Sequence, residues 1–353
     1  MSEKYHPVNS EFCRTTRFQE QFENGKIKCL TCRHGCILSE GQKGICETRQ
    51  VRDGVLKTLN YGNISSISIN PIEKKPFYHF FPGSYATTIG SWSCNLSCPW
   101  CQNYSISKKP PEQATRAQYL SPEDLVQSIV NDARSLGVSF SFNEPTLMIE
   151  YALDVLQLLS TKKADLYSNF VTNGYMSLNV LRELIQANLS AMVVSIKGDK
   201  KNMQKWCNAN LDFVFENINY GIKKGLHIEI VVLVIPTVSD SESFFDDLTQ
   251  QIINDFGPNI PLHFNAYYPA YHFHKPRTSP KTLERAREIA MKKGLNFVYI
   301  GNLLGHPAIH TYCPTCSEKV MLRTQFGLKE NKLIKDNRCP YCDTKIPISE
   351  NSS

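Results

Sequence analysis

The sequence lacks any long apolar run and any apolar segment near its first residue. The longest continuous apolar stretch, residues 230–235, has six residues, whereas a membrane-spanning helix needs about 20. We therefore expect no transmembrane helix. Residues 1–6 (Met-Ser-Glu-Lys-Tyr-His) do not resemble the apolar core of a secretion signal, so we expect a cytoplasmic protein.

The chain also lacks blocks of five or more basic residues, internal repeats and low-complexity segments. Its 39 basic and 33 acidic side chains give a formal charge of +6. Because the basic residues are scattered, they do not predict a patch for DNA or RNA. The 353 residues, of which 41% are hydrophobic, suit a folded protein with about two domains.

Cysteine, by contrast, is abundant and clustered. Eleven of the 13 cysteines fall into three groups. They are an N-terminal four-cysteine group (Cys29, Cys32, Cys36, Cys46), a three-cysteine motif (Cys94, Cys98, Cys101) and a C-terminal four-cysteine group (Cys313, Cys316, Cys339, Cys342). Because a cytoplasmic protein keeps its thiols reduced, these groups indicate metal sites rather than disulfides. Cys13 and Cys207 are interpreted as isolated buried thiols.

From about residue 86, apolar strand-like runs alternate with amphipathic helix-like segments. Strands are predicted at 86–90, 138–142, 166–171, 191–196, 228–235, 262–266 and 296–300, and helices at 122–136, 147–160, 178–188, 212–224, 241–255 and 281–293. The alternation predicts an α/β fold with a parallel sheet, arranged as a partial TIM-like barrel of six β/α units. Functional groups are then expected at the carboxyl ends of the strands.

Three regions are expected along the chain. Residues 1–85 form a cysteine-rich extension, residues 86–301 the partial barrel, and residues 302–353 a region built around the C-terminal four-cysteine group.

The three-cysteine motif has the spacing Cys94-x3-Cys98-x2-Cys101 and directly follows the first strand of the alternating region. Three thiolates can hold three irons of a [4Fe–4S] cluster and leave the fourth iron without a protein ligand. That iron can bind the amino and carboxylate groups of S-adenosylmethionine (SAM), and an electron from the cluster then cleaves SAM to a 5′-deoxyadenosyl radical. The alternatives are a three-cysteine zinc site completed by a histidine, or buried thiols.

The motif and its extension Cys101-Gln102-Asn103 resemble those of the radical SAM superfamily. More narrowly, the chain resembles the proteins related to pyruvate formate-lyase activating enzyme, above all the radical SAM protein of the AmmeMemoRadiSam system. The resemblance extends over nearly the whole chain. It implies a radical SAM barrel, a [4Fe–4S] cluster, SAM, and an electron donor such as ferredoxin or flavodoxin.

The resemblance also assigns residues to SAM. Trp100 occupies the family's aromatic position beside the adenine. Asn143 and Glu144 begin a segment similar to the family's Gly-Gly-Glu-Pro motif, which holds the SAM amino group, and Thr172 and Asn173 belong to a turn similar to its Thr-Asn-Gly turn. Each follows a predicted strand, which is where a barrel places functional groups.

Two further residues are carried over from the family. Lys197 matches the lysine near the SAM carboxylate, and His263 falls where activases have a SAM-proximal histidine. On an apolar strand, however, His263 is equally expected to be a hydrogen-bonded core histidine. Ser195 and Val171 replace the two acids that bind a monovalent cation in activases, so we expect no such cation site.

The C-terminal four-cysteine group consists of two Cys-Pro-x-Cys knuckles and predicts a zinc ribbon, with an iron site or an auxiliary cluster as the alternative. The N-terminal four-cysteine group predicts a closed zinc site, with an additional iron–sulfur cluster as the alternative, because four thiolates do not distinguish the metal.

Together these features predict a radical SAM enzyme that abstracts hydrogen from an unidentified substrate. Similarity to activases suggests a protein glycine as the target, and similarity to the AmmeMemoRadiSam grouping suggests Memo-like and AMMECR-like protein partners.

One alternative is a metal-dependent module that binds a protein or RNA through its zinc ribbon. Another is a tRNA-modifying radical SAM enzyme. The scattered basic residues count against nucleic acid, as does a charge of about +1 once the predicted metal–thiolate sites are included.

Overall fold

The computed structural model describes residues 10–114, 118–163, 165–324 and 326–350. The chain forms two compact units. The first comprises Met1–Ile69, Thr87–Ser97 and Cys101–Ser190, and the second comprises Asn70–Ala86, Cys98–Trp100 and Ala191–Ser353. Over the described residues, no helix combines the length and the apolar character needed to cross a membrane.

The strands and α-helices are numbered in chain order. The strands are β1 (Arg14–Thr15), β2 (Gln19–Gln21), β3 (Ile27–Cys29), β4 (Ile37–Leu38), β5 (Arg49–Arg52), β6 (Val55–Thr58), β7 (Asn63–Ile64), β8 (Ser66–Pro71), β9 (Tyr85–Gly90), β10 (Gln118–Tyr119), β11 (Ser135–Phe140), β12 (Tyr167–Thr172), β13 (Ala191–Ile196), β14 (His227–Val234), β15 (Leu262–Ala266), β16 (Val298–Gly301), β17 (Thr311–Tyr312), β18 (Lys319–Thr324) and β19 (Gly327–Asn331). The α-helices are α1 (Tyr104–Ser107), α2 (Pro122–Asn131), α3 (Ile149–Lys162), α4 (Leu178–Gln186), α5 (Lys200–Asn202), α6 (Leu211–Lys223), α7 (Glu242–Phe256) and α8 (Pro280–Lys292). A π-helical turn spans Met203–Cys207, and short 3-10 helices span Ser10–Phe12, Glu23–Gly25, Ile72–Lys74, Pro111–Gln113, Pro145–Met148, Pro307–Ile309 and Lys335–Asn337.

The first unit contains the beginning of the β/α alternation. Strands β11 and β12 are parallel, and Gly137 lies opposite Tyr167. A Cβ at Gly137 would lie 2.0 Å from the Tyr167 carbonyl oxygen, so this close approach requires glycine. Helix α2 begins after Ser121, whose Oγ accepts a hydrogen bond from the backbone nitrogen of Asp124.

The N-terminal part of the first unit consists of small antiparallel sheets. Strands β2, β3 and β4 form one sheet, and β1, β6 and β5 form another. Their shared core consists of five buried side chains: Ile27, Cys29, Leu38, Val51 and Leu56. One cysteine of the N-terminal four-cysteine group is therefore part of this core.

The second unit contains four consecutive parallel strands in the order β13, β14, β15, β16. Helices α6, α7 and α8 connect them. Strand β14 is almost entirely apolar and buried, which is typical of a parallel strand covered on both faces. The α/β alternation predicted from the sequence is confirmed, and each predicted strand and helix overlaps an observed one.

The end of the chain forms a three-stranded antiparallel sheet, β17, β18 and β19, in the second unit. Val320 and Met321 of β18 pack in one buried cluster with Tyr78, Phe297 and Tyr299. Cys313 and Cys339 of the C-terminal four-cysteine group belong to the same small apolar cluster.

Candidate active site and metal centres

The loop that carries the three-cysteine motif begins directly after β9. Its first residues are held by Asn143, which follows β11. Asn143 Oδ1 accepts a 2.9 Å hydrogen bond from the Ser91 backbone, and Nδ2 donates to the carbonyl oxygens of Trp92 and Ser93 at 3.1 and 3.0 Å. One amide side chain thus fixes the backbone that leads into Cys94.

Glu144 is 2% exposed and organises the turn that follows β12. Its Oε1 accepts hydrogen bonds from the backbone nitrogen and hydroxyl of Thr146 and from the hydroxyl of Thr172, at 3.1, 2.5 and 2.7 Å. Its Oε2 accepts from the Asn173 backbone at 2.8 Å. Three donors therefore meet Oε1 and one meets Oε2, so the protein itself orients this carboxylate.

Asn173 connects that turn to the cysteine loop. Its Nδ2 donates to Asn95 Oδ1 at 2.8 Å and lies 3.8 Å from Cys94 Sγ, which also accepts from the Leu96 backbone at 3.4 Å. The Asn173 orientation is fixed because Oδ1 accepts from the Tyr175 backbone at 2.9 Å. Donors directed at a cysteine sulfur stabilise its thiolate form, so the surroundings of Cys94 fit a metal-bound sulfur.

Cys101, the last cysteine of the three-cysteine motif, lies in the first unit. It is half-buried, and its Sγ lies 3.0 Å from the hydroxyl of Ser107 at the end of α1. Cys94 is also half-buried. Both cysteines are therefore half-buried and have a polar neighbour at the sulfur.

Cys98 and Trp100 lie in the second unit. Both are buried, and Cys98 Sγ lies 3.3 Å from Cys207 Sγ. The Trp100 ring centroid is 5.4 Å from that of Phe273 and 6.1 Å from that of Trp206. The Trp100 indole nitrogen has no hydrogen-bond partner among the described residues.

Lys197 follows β13 directly, and its Nζ donates to the Ser195 carbonyl oxygen at 3.3 Å. The residue is half-buried. The assignment of Lys197 to the SAM carboxylate stays a prediction, as does the absence of a cation site at Ser195 and Val171.

His263 lies near the start of β15 and is buried, in a network centred on the buried Glu229. The Glu229 carboxylate accepts from the backbone nitrogens of Tyr78 and His79 at 2.8 Å each, from His227 Nε2 at 3.1 Å and from His263 Nε2 at 2.7 Å. Burial alone raises the pKa of Glu229, but the hydrogen bonds from His227 and His263 lower it overall. His263 thus has a partner in the core, and its role near SAM stays a prediction.

The C-terminal four-cysteine group is geometrically ready for a metal. All four sulfurs lie within 4.8 Å of one another. Cys313 and Cys342 are 3.5 Å apart, and Cys316 and Cys339 are 3.7 Å apart, against about 3.8 Å for two sulfurs bound at 2.3 Å to one tetrahedral zinc. Hydrogen bonds from Thr344 lower the pKa of Cys342 to about 6, which favours its thiolate form at neutral pH.

The N-terminal four-cysteine group is more deeply covered. Cys29, Cys32 and Cys46 are buried and Cys36 is half-buried. Burial raises the pKa values of Cys29, Cys32 and Cys36, and the proximity of Cys46 raises each of them further. Among the described residues, only the C-terminal group has its ligand atoms within 4.8 Å of one another, so a metal at the N-terminal group stays a prediction.

This N-terminal segment packs on the loops of the candidate site within the first unit. The Ser93 hydroxyl donates to the Cys46 carbonyl oxygen at 2.7 Å, and His34 Nε2 lies 2.7 Å from the Asn95 carbonyl oxygen. Cys32 also forms a backbone bridge with Met176. The N-terminal cysteine segment therefore contacts both the three-cysteine loop and the turn after β12.

Three residues at or near these centres were not found from the sequence. Asn95 lies inside the motif, but its spacing to Cys94 gave no reason to single it out. Glu229 is one charged residue in an apolar strand, which is a usable signal for a buried partner. Cys207 carries no local signal, because its contact with Cys98 joins residues 109 positions apart.

Sequence comparison identifies related proteins. Residues 91–248 match the model of the radical SAM superfamily. The uncharacterized protein MJ0808 of Methanocaldococcus jannaschii is 33% identical over 337 residues, which covers 95% of this chain and 99% of that protein. The range matched by the family model contains the three-cysteine motif, Glu144, Asn173 and Lys197, but neither four-cysteine group.

Solved structures show a related fold. A radical SAM methyltransferase from Sphaerobacter thermophilus superposes with a TM-score of 0.50 at 13% identity, over 87% of this chain and 82% of that one. A domain of pyruvate-formate lyase-activating enzyme from Bacteroides vulgatus ATCC 8482 gives a TM-score of 0.40 at 18% identity, over 47% of this chain and 99% of that one. At 13% identity, the likeness to the methyltransferase shows a shared fold and does not extend to its activity.

Proposed function

Because this chain belongs to the radical SAM superfamily and is a SAM-dependent enzyme, we propose that Cys94, Cys98 and Cys101 hold its [4Fe–4S] cluster. The enzyme then cleaves SAM reductively and abstracts hydrogen from a substrate that is not yet identified.

The contact between Asn173 and Cys94 carries this proposal. The Asn173 amide reaches Cys94 Sγ while its backbone donates to Glu144, so residues predicted for SAM and a predicted cluster ligand belong to one hydrogen-bonded group. Donors around a cysteine sulfur are typical of metal-bound thiolates and support Cys94 as a cluster ligand.

The cluster, when bound, supplies the electron that cleaves SAM to methionine and a 5′-deoxyadenosyl radical. Residues of the chain position the cysteine loop, the turn after β12 and SAM. Asn143 fixes the start of the loop and Glu144 fixes the turn at Thr172 and Asn173. Trp100 supplies an apolar wall for the adenine, and Lys197 supplies a positive charge for the SAM carboxylate.

Anaerobic reconstitution with iron and sulfide, followed by dithionite and SAM, tests the proposal. We expect 5′-deoxyadenosine to form in the unsubstituted protein and to fall to background in Cys98→Ala. Cys13→Ala is the matched control, because it removes a cysteine outside the three groups. Equal 5′-deoxyadenosine formation by Cys98→Ala and the unsubstituted protein would overturn the assignment.

The same family membership favours a specific architecture. We assign residues 86–301 to a partial (β/α)6 TIM-like radical SAM barrel, residues 1–85 to a metal-binding extension and residues 302–353 to a zinc-ribbon region. The matched range 91–248 and the fold shared with the methyltransferase support the central assignment. The sulfur spacing supports a four-thiolate metal site in the ribbon, which we assign to zinc.

The N-terminal four-cysteine group is assigned to a second zinc, with an additional iron–sulfur cluster as the competing assignment. Iron, sulfide and zinc analysis of anaerobically purified protein separates the two. About four irons with two zincs per chain supports zinc, and about eight irons with one zinc supports the additional cluster.

The substrate and partners rest on the sequence resemblance to activases and to the AmmeMemoRadiSam grouping. We assign a protein substrate, a ferredoxin or flavodoxin as reductant and Memo-like and AMMECR-like proteins as partners. Addition of the purified Memo-like and AMMECR-like proteins should raise the number of 5′-deoxyadenosine turnovers. An unchanged turnover number in their presence would remove them as partners.

A further inference from the structure

A cavity of about 400 Å³ lies within the second unit. It is lined by residues of helix α8, of strand β16 and of the first knuckle of the C-terminal four-cysteine group. Most of the lining side chains are apolar or aromatic, among them Met291, Phe297, Pro307 and Pro314. Met291 is 41% exposed, so the cavity borders on solvent. This size and this lining are typical of sites for small molecules.

The cavity is basic and its walls contain no carboxylate. Its lining includes Arg287, His306 and His310, and none of the described lining residues is Asp or Glu. Both ring nitrogens of His306 have partners, because Nδ1 accepts from the Ala308 backbone nitrogen at 3.1 Å and Nε2 lies 3.3 Å from Glu284 Oε1. Arg287 and His310 are therefore the two basic groups that can act on a ligand.

Arg287 is half-buried and has no anionic partner among the residues that the structure describes. Its Nε donates to the Val298 carbonyl oxygen at 2.9 Å, which orients the guanidinium, whereas its two terminal nitrogens form no hydrogen bond or ion pair with any described residue. Burial lowers the pKa of Arg287, and the Tyr312 and Tyr299 hydroxyls oppose this. Partial removal of a guanidinium from water is unfavourable without a counter-ion, and its terminal N–H groups match a carboxylate.

His310 supplies a second donor to the same cavity. Its Nδ1 accepts a 3.1 Å hydrogen bond from the Arg323 backbone nitrogen, so the neutral ring carries its proton on Nε2. Within the described part of the chain, Nε2 has no hydrogen-bond partner. Tyr312 is a neighbour of both donors, because its ring centroid is 6.4 Å from that of His310 and its hydroxyl interacts electrostatically with Arg287.

We propose that this cavity binds a small organic carboxylate with an apolar body. The carboxylate accepts hydrogen bonds from Arg287 and His310, and the apolar body packs against the cavity walls. One guanidinium and one neutral donor balance a single negative charge, whereas inorganic phosphate carries up to two charges and has no apolar surface to bury. None of the residues assigned to the cluster or to SAM lines this cavity, so the site is independent of the proposed function.

Isothermal titration calorimetry of the full-length protein with phenylacetate tests this site. Phenylacetamide has the same apolar body without the charge, and inorganic phosphate has the charge without the body. We expect phenylacetate to bind roughly tenfold or more tightly than either of them. Equal affinity for phenylacetate and one of the other two compounds, or no measurable binding of phenylacetate, would overturn the proposal.

Variants of helix α8 separate the cavity from other basic groups. Arg287→Gln removes a charge-assisted hydrogen bond and should weaken phenylacetate binding about ten- to hundredfold. Arg285→Gln is the matched control and should bind normally, because Arg285 pairs with Glu242 and Glu288 and does not line the cavity. Unchanged affinity in Arg287→Gln would refute the site.

A variant of the second donor tests its share. His310→Asn keeps an acceptor for the Arg323 backbone but lacks the Nε2–H group, so the affinity for phenylacetate should fall roughly three- to tenfold. An unchanged affinity in this variant would remove His310 from the site.

A further measurement uses the unsubstituted protein and therefore requires no variant to fold. Phenylglyoxal modifies accessible arginine side chains. We expect peptide mapping to show that phenylacetate slows the modification of Arg287 and leaves that of Arg285 unchanged. A rate of Arg287 modification that phenylacetate does not alter would contradict carboxylate binding in this cavity.

Discussion

Nε2 of His34 lies 2.7 Å from the backbone carbonyl oxygen of Asn95. The acceptor is a carbonyl, so the His34 ring donates this hydrogen bond through Nε2–H. The same ring packs edge-on against Tyr175 at a centroid distance of 5.0 Å. One histidine of the N-terminal cysteine segment thus contacts both the three-cysteine loop and the residue that fixes Asn173.

Substitution of His34 should loosen this attachment. His34→Ala removes one hydrogen bond and one aromatic contact, which together stabilise the protein by about 1–2 kcal/mol. We expect a lower urea midpoint, monitored by tryptophan fluorescence, and faster loss of iron in the presence of a chelator. His34→Gln keeps a hydrogen-bond donor, so its urea midpoint should lie between those of His34→Ala and the unsubstituted protein. Indistinguishable midpoints for the alanine variant and the unsubstituted protein would contradict the role of this contact.

Glu144 should be sensitive to an isosteric change. Glu144→Gln replaces one carboxylate oxygen with an NH2 group. This group then faces the Asn173 N–H or the Thr172 hydroxyl and cannot accept from it. The lost hydrogen bond reduces the stability of the turn by about 1–3 kcal/mol. We expect the rate of 5′-deoxyadenosine formation to fall roughly tenfold or more, because the turn that directs Asn173 to Cys94 is displaced. Glu123→Gln is the control, since Glu123 is exposed on α2. Full activity in Glu144→Gln would show that the turn does not need the carboxylate.

Removal of one thiolate should disrupt the C-terminal four-cysteine group. Cys316→Ala leaves three sulfurs at a site built for four, so bound zinc should fall by about one atom per chain. The strands β17–β19 should then become sensitive to limited proteolysis, because a small sheet depends on its metal. Zinc analysis and mass spectrometry of the fragments measure both effects. Retention of all zinc in this variant would exclude the four-sulfur site.

Stability should fall on mild acidification because of His79. Burial lowers its pKa from 6.5 to about 3, and the nearby Glu229 charge opposes this only in part. The unfolded chain therefore binds a proton that the folded chain excludes, so stability is present above pH 6.5 and is lost as the pH falls towards 3.

Urea titrations at pH 7 and pH 5 measure this effect. We expect the free energy of unfolding to decrease by up to about 2 kcal/mol from His79 between these two values. His79→Gln should remove that share of the pH dependence, since glutamine does not titrate. An unchanged difference between pH 7 and pH 5 in His79→Gln would refute the contribution of His79.

Much of the fold could be predicted from local patterns. Strand β14 ends in an unbroken apolar run over residues 230–234, and Ser121 is followed by Asp124 at the spacing of a helix cap. Both features depend on neighbours in sequence, so the sequence reveals them directly. The tetrahedral arrangement of the C-terminal four-cysteine group was also predictable, because its two knuckles carry the spacing of a zinc site.

The remaining contacts depend on residues far apart in the chain. Cys207 reaches Cys98 across 109 positions, and Glu229 accepts from the Tyr78 backbone across 151 positions. A single sequence contains no information on such pairings, because neither residue has a local pattern that names its partner. For the same reason the sequence left two interpretations of His263 open, whereas the structure shows its hydrogen bond to Glu229.

Electron paramagnetic resonance (EPR) spectroscopy of the reduced, reconstituted protein with and without SAM tests the central claim most directly. The account predicts a [4Fe–4S]+ signal that changes when SAM binds the iron without a protein ligand, and loss of that signal in Cys94→Ala, Cys98→Ala and Cys101→Ala. A signal that SAM leaves unchanged, or that survives removal of any of these three cysteines, would contradict the claim that they hold the cluster.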